Sequence, residues 1–381
     1  MRITTTECCF GFSGKGPAHM AGLSLIELLI SMVMALTLAS AVLQIYLASI
    51  AIARDTEVRA RMYENAGLAI QLLTRELRLA GALGCLPDLP TTEVHSTLRS
   101  MPITLRPVRG IEGWEAAEPL SGSEPPVASD IAVTSSSGGQ WSNATGDLPE
   151  RTLALPGSDI LRVWQTQSTG ATLASISQTN ALALKGSGRP VVADGDLLLL
   201  SDCLQVDWVQ ACHVQAAGTD VLINSQNSPL CSPGNDPDKG LHSGIGGEVL
   251  SLRSSIFYIG KRGDMATNPP ALFRRKLSQT ALAGAAEELV EGIADMQFLY
   301  GVNLDEDTMD EDVMNDFAIN SIDAYLPASQ VSDWLNVISV RISLLVQPVL
   351  QQSSEDRSLP KPQTFTAAVA LRARLARGAG E

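Results

Sequence analysis

Between Ala21 and Ala53 the sequence reads AGLSLIELLISMVMALTLASAVLQIYLASIAIA, and Glu27 is its sole charged residue. A carboxylate inside a bilayer costs several kcal/mol, roughly 2.5–3.5 at a helix centre on one scale, so an acid kept there marks a functional position. Its chemistry is that of an anion in need of a cation, because a buried charge whose partner is removed is strongly destabilising. An acid in the first turns of a helix also gains from the helix dipole, but only ~0.3–1 kcal/mol at exposed sites. That gain is smaller than the cost of burial, so the helix dipole alone does not account for Glu27.

The remaining reactive residues exclude more than they promise. The six cysteines are Cys8, Cys9, Cys85, Cys203, Cys212 and Cys231. No two form a CxxC pair, and no Cys/His spacing matches a common zinc site. In the acidic stretch GVNLDEDTMDEDVMNDF, Asn303, Asp305 and Asp307 alternate like calcium ligands. Thr308, however, stands where such a loop wants glycine, and Met314 takes the twelfth position, where a bidentate glutamate is needed. The stretch reads as a solvated acidic turn, and no metal is expected. With four histidines and no HExxH, GxSxG or P-loop pattern, the chain offers no catalytic constellation and no cofactor site. A formal charge of −14 argues against nucleic acid as a partner, since that would need a basic stripe.

The elements that must position Glu27 begin with the run itself. Leu28–Ala53 carries neither charge nor proline and is long enough to span a bilayer. It is too long for a secretory signal peptide, and no A-x-A-like site follows it. The helix continues past it: Val58, Met62, Ala66, Ala69, Leu73, Leu77 and Ala80 recur at steps of three and four, opposite Arg61, Glu64, Arg75, Glu76 and Arg78. Gly81, Gly84 and Pro87 end it. One helix over 23–80 is therefore expected, apolar all round over 23–53 and amphipathic over 54–80.

From 81 onward the composition turns to Pro, Gly, Ser and Thr with short apolar runs, and Pro119–Ser129 and Thr134–Gly146 read as loops. Strands are predicted at Ser158–Gln165, Gly195–Cys203, Ser254–Asp264, Ala271–Leu277 and Met296–Gly301, with a short helix or turn at Ala285–Ile293. Two late segments alternate cleanly. Ile338, Val340, Ile342, Leu344 and Val346 line one face of the first, and Phe365, Ala367, Val369, Leu371, Ala373 and Leu375 one face of the second. The fold class is α+β: a long N-terminal helical spine packed against an antiparallel β-sheet head.

Gly22-Leu23-Ser24-Leu25-Ile26-Glu27 followed by that apolar run resembles a type IV prepilin. The segments ENAGLAIQLLTRELRLAGALGC, GDLLLLSDC, ELVEGIADMQFLYGV and SDWLNVISVRISLLV together resemble the PilW family of minor type IV pilins. The resemblance implies a leader over 1–22, cut between Gly22 and Leu23 by a prepilin peptidase, and N-methylation of Leu23, although leucine replaces the commoner phenylalanine there. It implies that Glu27 pairs with the freed α-amino group of Leu23, in its own subunit or a neighbour. The protein it implies is a minor pilin that primes pilus assembly and sits near the tip. It starts in the inner membrane with its head, 81–381, in the periplasm, and ends in the fibre. Partners would be other minor pilins, the major pilin, a tip adhesin, the peptidase and the inner-membrane assembly platform. A pseudopilin of a type II secretion tip complex shares the leader and helix and is the nearest alternative; a membrane-anchored periplasmic enzyme is the alternative of another class.

Removal of the leader leaves four cysteines, which allow three pairings and imply an oxidising compartment. The expected pairing joins Cys85, just past the helix, to Cys203, at a strand end, and leaves Cys212 and Cys231 to close a local loop.

Overall fold

The computed structural model describes residues 24–85, 94–100, 109–116, 141–142, 154–155, 157–176, 181–186, 192–217, 220–224, 234–236, 238–261, 268–277, 286–304, 321–349 and 360–372. The chain divides into two compact units, 1–57 and 58–381. In the first, the described residues belong to helix α1, which spans Leu25–Arg78 in all. Gly67 is the only glycine in that span and proline is absent, so nothing in it breaks the helix. The last turn tightens through the amides of Leu79 and Ala80, which donate to the carbonyls of Glu76 and Leu77 (3.2 and 3.1 Å). Gly81 then takes the left-handed conformation that ends many helices (φ 71°).

Among the described residues, the second unit holds sixteen strands. They are β1 (Val94–Ser96), β2 (Ile111–Ala116), β3 (Trp141–Ser142), β4 (Ile160–Ile176), β5 (Ala181–Gly186), β6 (Leu197–Ser201), β7 (Val206–Gln210) and β8 (Cys212–Ala217). There follow β9 (Asp220–Asn224), β10 (Glu248–Gly260), β11 (Ala271–Leu277), β12 (Ala286–Glu291), β13 (Ile293–Val302), β14 (Ala324–Leu326), β15 (Val337–Val346) and β16 (Gln363–Ala370). Twelve form one sheet in the order β1-β7-β6-β10-β4-β5-β9-β8, with β11 and β12 continuing from β10, and β2 and β3 from β4. The other four form a second sheet, β14-β13-β15-β16. Pairing is antiparallel except between β1 and β7.

The amphipathic half of α1 is buried in this unit. Met62, Ala66, Ala69, Leu73 and Leu77 share a core with Ile293, Met296 and Phe298 of β13, Val340, Ile342 and Leu344 of β15, and Phe257 and Ile259 of β10. Leu73 and Leu77 are wholly buried, each worth about 1.5–3 kcal/mol relative to exposure.

Several sequence expectations change. Ala285–Ile293 is not a helix or turn: Ala286–Glu291 is an edge strand on β11, where Glu287 meets Arg274 at 2.8 Å, and Gly292 (φ 78°) turns the chain into β13. The loop expected over Thr134–Gly146 contains β3, because Trp141 is buried and its indole N–H donates to the Ser158 carbonyl (2.9 Å). β4 runs on to Ile176 and β10 begins at Glu248, so the central antiparallel pair is much longer than its apolar centres suggested. The last strand ends at Ala370, and Ala373 and Leu375 lie outside the described residues.

Candidate assembly surface

Glu27 stands in the first turn of α1, where the Ser24 carbonyl accepts the amides of Glu27 (2.9 Å) and Leu28 (3.2 Å). Its side chain is exposed, as are Leu25, Leu28, Leu36, Leu38, Val42 and Ile45 around the helix. The helix is long and apolar enough to cross a membrane, and none of its most apolar window is buried. Four hydroxyls in or beside this half are turned onto the helix backbone. Ser31, Thr37 and Ser40 donate to the carbonyls of Leu28, Met34 and Thr37 at 2.8–2.9 Å, and Thr56 donates to that of Ile52 at 2.8 Å. A helix that satisfies its own polar groups can leave water, since in hydrocarbon every one of them must be met within the chain. Glu27 is the one charged residue among the described residues of this half.

In the second unit the other half of α1 is fastened to both sheets. Asn65 donates to the Glu291 carbonyl (3.0 Å), and Tyr63 meets Phe365 of β16 edge to face (5.4 Å). Glu76 accepts from Gln165 of β4 (2.6 Å) and from Arg274 of β11 (3.3 Å). Just past the helix, the Gly81 amide donates to the Trp164 carbonyl (2.9 Å), and Thr166 donates to the Ala82 carbonyl (2.8 Å). Cys85 is disulfide-bonded to Cys203, with Cα atoms 5.3 Å apart. The helix end is thereby tied to the turn that links β6 and β7.

A second cluster lies where the two sheets meet. Asp159 is buried at the start of β4, and its carboxylate accepts the amides of Ala116 on β2 (2.9 Å) and Phe298 on β13 (2.8 Å). Burial, chiefly, raises its pKa to about 8; the charge of Glu115 and, less strongly, that of Asp295 act in the same sense, against the two amides. Burial also raises Glu115, although the Ala328 amide it accepts opposes this. Tyr300 is pushed well above its ordinary value by burial and then by Asp159, Glu115 and Glu112.

Residues 256–373 match the family model described as type IV pilus-assembly protein W, PilW. Over this segment the chain is similar to the PilW family. The matched segment is about a third of the chain and runs from the end of β10 through β16, so it contains the whole second sheet on which α1 packs. No curated protein and no solved structure matches the chain. The PilW family is described as one of type IV pilus assembly.

Of the residues singled out in sequence, the structure describes Glu27, Cys85, Cys203 and Cys212. Cys212 is disulfide-bonded too, while Cys231, like Gly22 and Leu23, lies outside the described residues. Asn303 is described, its amide donating to the Asn336 carbonyl (2.9 Å), but Asp305 and Asp307 are not. The carboxyl cluster escaped the sequence reading. So did Asp207, buried under a loop where it accepts the amides of His242 (2.8 Å) and Ser243 (2.5 Å) and the Ser243 hydroxyl (2.6 Å). The only local sign of either is an acid inside or beside a strand pattern.

Proposed function

We propose that this chain is a minor pilin that primes pilus assembly and is built into the fibre near its tip with other minor pilins. The observation that carries the reading is the exposed apolar half of α1 with a single carboxylate in its first turn. Before assembly this half lies in the inner membrane with the head in the periplasm, where disulfides form. A prepilin peptidase removes 1–22, and the Leu23 amine is methylated. In the fibre the apolar half-helices of other minor pilins and the major pilin replace lipid, and the Leu23 amine supplies the cation that Glu27 needs.

Glu27→Ala and Glu27→Gln test this. Membrane insertion and cleavage should survive both, since the segment becomes more apolar and Gly22 is kept. Surface piliation, and the content of this protein in sheared pili, should fall in both variants, because glutamine keeps the shape but not the charge. Normal piliation in both would leave the carboxylate with only its helix-dipole role.

A further inference from the structure

We propose that Asp159 and Glu115, with Asp295 bonded beside them, form a proton-gated latch between the two sheets, closed while Asp159 and Glu115 hold a proton and loosened when alkaline conditions remove it. The inference is independent of the pilus reading. Its basis is the placing of the groups. The Asp159 amide donates to the Met296 carbonyl of β13 (2.8 Å), and its carboxyl receives one amide from each sheet, Ala116 and Phe298. Glu115 on β2 accepts the amide of Ala328 (3.2 Å), which belongs to the segment after β14. Asp295 on β13 accepts the Ser158 hydroxyl (2.6 Å), the Met296 amide (2.7 Å) and the Gln297 side chain (3.0 Å). Three carboxyls thus carry polar contacts across one seam, beside the Gln297 side chain, which donates to the Gly157 carbonyl (2.6 Å).

Among the described residues, the groups facing this cluster do not neutralise it. Tyr300 of β13 presents a buried hydroxyl with no hydrogen-bond partner. Glu112 of β2 is another acid, and the cations nearby are engaged with it: Arg109 at 3.2 Å and Arg162 at 3.8 Å, the latter held over the rings of Trp114 and Trp164. Among the described residues no lysine, arginine or histidine donates to Asp159, Glu115 or Asp295. Asp159 is buried and Glu115 half-buried, and two such carboxyls without a cation among the described residues cannot both ionise cheaply. The structural alternative, a fixed knot of hydrogen bonds, predicts no change with pH.

The folded protein binds the Asp159 proton up to a pKa of about 8, whereas an unfolded chain releases it near the ordinary value of about 3.9. Between those values the folded state carries more protons. The latch's contribution to stability is therefore fully present below the unfolded value and is lost as pH rises through the folded one. Two carboxyls act in the opposite sense, and only on acidification. Asp202 is lowered because the amides of Gly244, Gln205 and Leu204 outweigh its burial penalty, and Glu287 is lowered by its hydrogen bond to Arg274. Both changes fall below the ordinary carboxylate range, which leaves about pH 5–8 as the window for the latch.

The test uses the full chain in detergent, with thermal midpoints and amide exchange followed from pH 5 to pH 9. The unfolding constant should rise towards tenfold per pH unit across the window, the slope of one proton. Exchange at Ala116 and Phe298, corrected for its intrinsic pH dependence, should quicken with it. Asp159→Asn should flatten the pH dependence, at some cost in stability, because its amide replaces one acceptor oxygen. Glu115→Gln removes one repelling charge and keeps the shape, so the loss should be smaller between pH 7 and pH 8. If Asp159→Asn fails to fold, Glu115→Gln decides. A wild-type midpoint that is flat or rises from pH 5 to pH 8 would overturn the latch, as would an unchanged slope in Glu115→Gln.

Discussion

Opening the Cys85–Cys203 bond is the sharpest test of how the helix is held to the head. The two cysteines are 118 residues apart in sequence. For a loop of that length the chain-entropy relation gives about 16 cal/mol/K, or about 5 kcal/mol at 25 °C, lost when both become serine. The loss falls on the denatured ensemble, because in the folded state the same region stays fastened by Gly81 to Trp164 and Thr166 to Ala82. One backbone feature refines the expectation. Cys203 sits at φ 68°, a conformation that favours glycine. Cys85→Ser with Cys203→Gly should therefore be more stable than the double serine by about 1 kcal/mol. The assay is urea unfolding of the detergent-solubilised chain. With a slope of about 3 kcal/mol/M, the double serine should move the midpoint down by roughly 1.5 M. A shift under about 0.5 M would refute the loop-entropy reasoning, and a serine variant as stable as the glycine one would refute the backbone part.

Two packing predictions accompany it. A Cβ on Gly113 would stand 1.9 Å from the Tyr300 hydroxyl, so Gly113→Ala should cost about 2–3 kcal/mol. Tyr300→Phe, which removes a buried hydroxyl without a partner, should be neutral or stabilising by about 1 kcal/mol and recover part of that cost in the double variant; strictly additive thermal midpoints would contradict this. Leu73→Ala should lower the stability of the head by about 2–5 kcal/mol, since Leu73, on the inner face of α1, is wholly buried. Membrane insertion, followed by protease protection in vesicles, should be unchanged, and a loss of insertion would contradict the separation of the two helical halves.

Legibility in the sequence tracked how local each signal is. The helix could be read because its apolar run and its three- and four-residue spacing are continuous from Leu28 to Ala80. β15 could be read because its alternation survives burial on one face. β12 could not: AEELVE has the composition of a helix, and only the Arg274–Glu287 pairing and the edge of β11 make it a strand. The length of β4 was hidden because its polar half, from Gln165 to Ser175, is held by its neighbours rather than by its own apolar content. Asp159 was the least legible. Its partners come from residues 115–116, 295–298 and 328, and nothing in the local sequence GSDI separates it from an ordinary strand-leading acid.

The closure of α1 has a consequence for the order of folding. Asn65 bonds a carbonyl 226 residues downstream, and the stripe from Met62 to Leu77 is covered mainly by β13 and β15. A chain delivered from its N-terminus presents that stripe long before the strands that cover it have emerged. Contacts so distant in sequence are slow to form, because loop closure must precede the gain from burial. The amphipathic half of α1 therefore spends the first part of the protein's life as an uncovered apolar surface, and the arrival of residues 293–346 is the event that ends it.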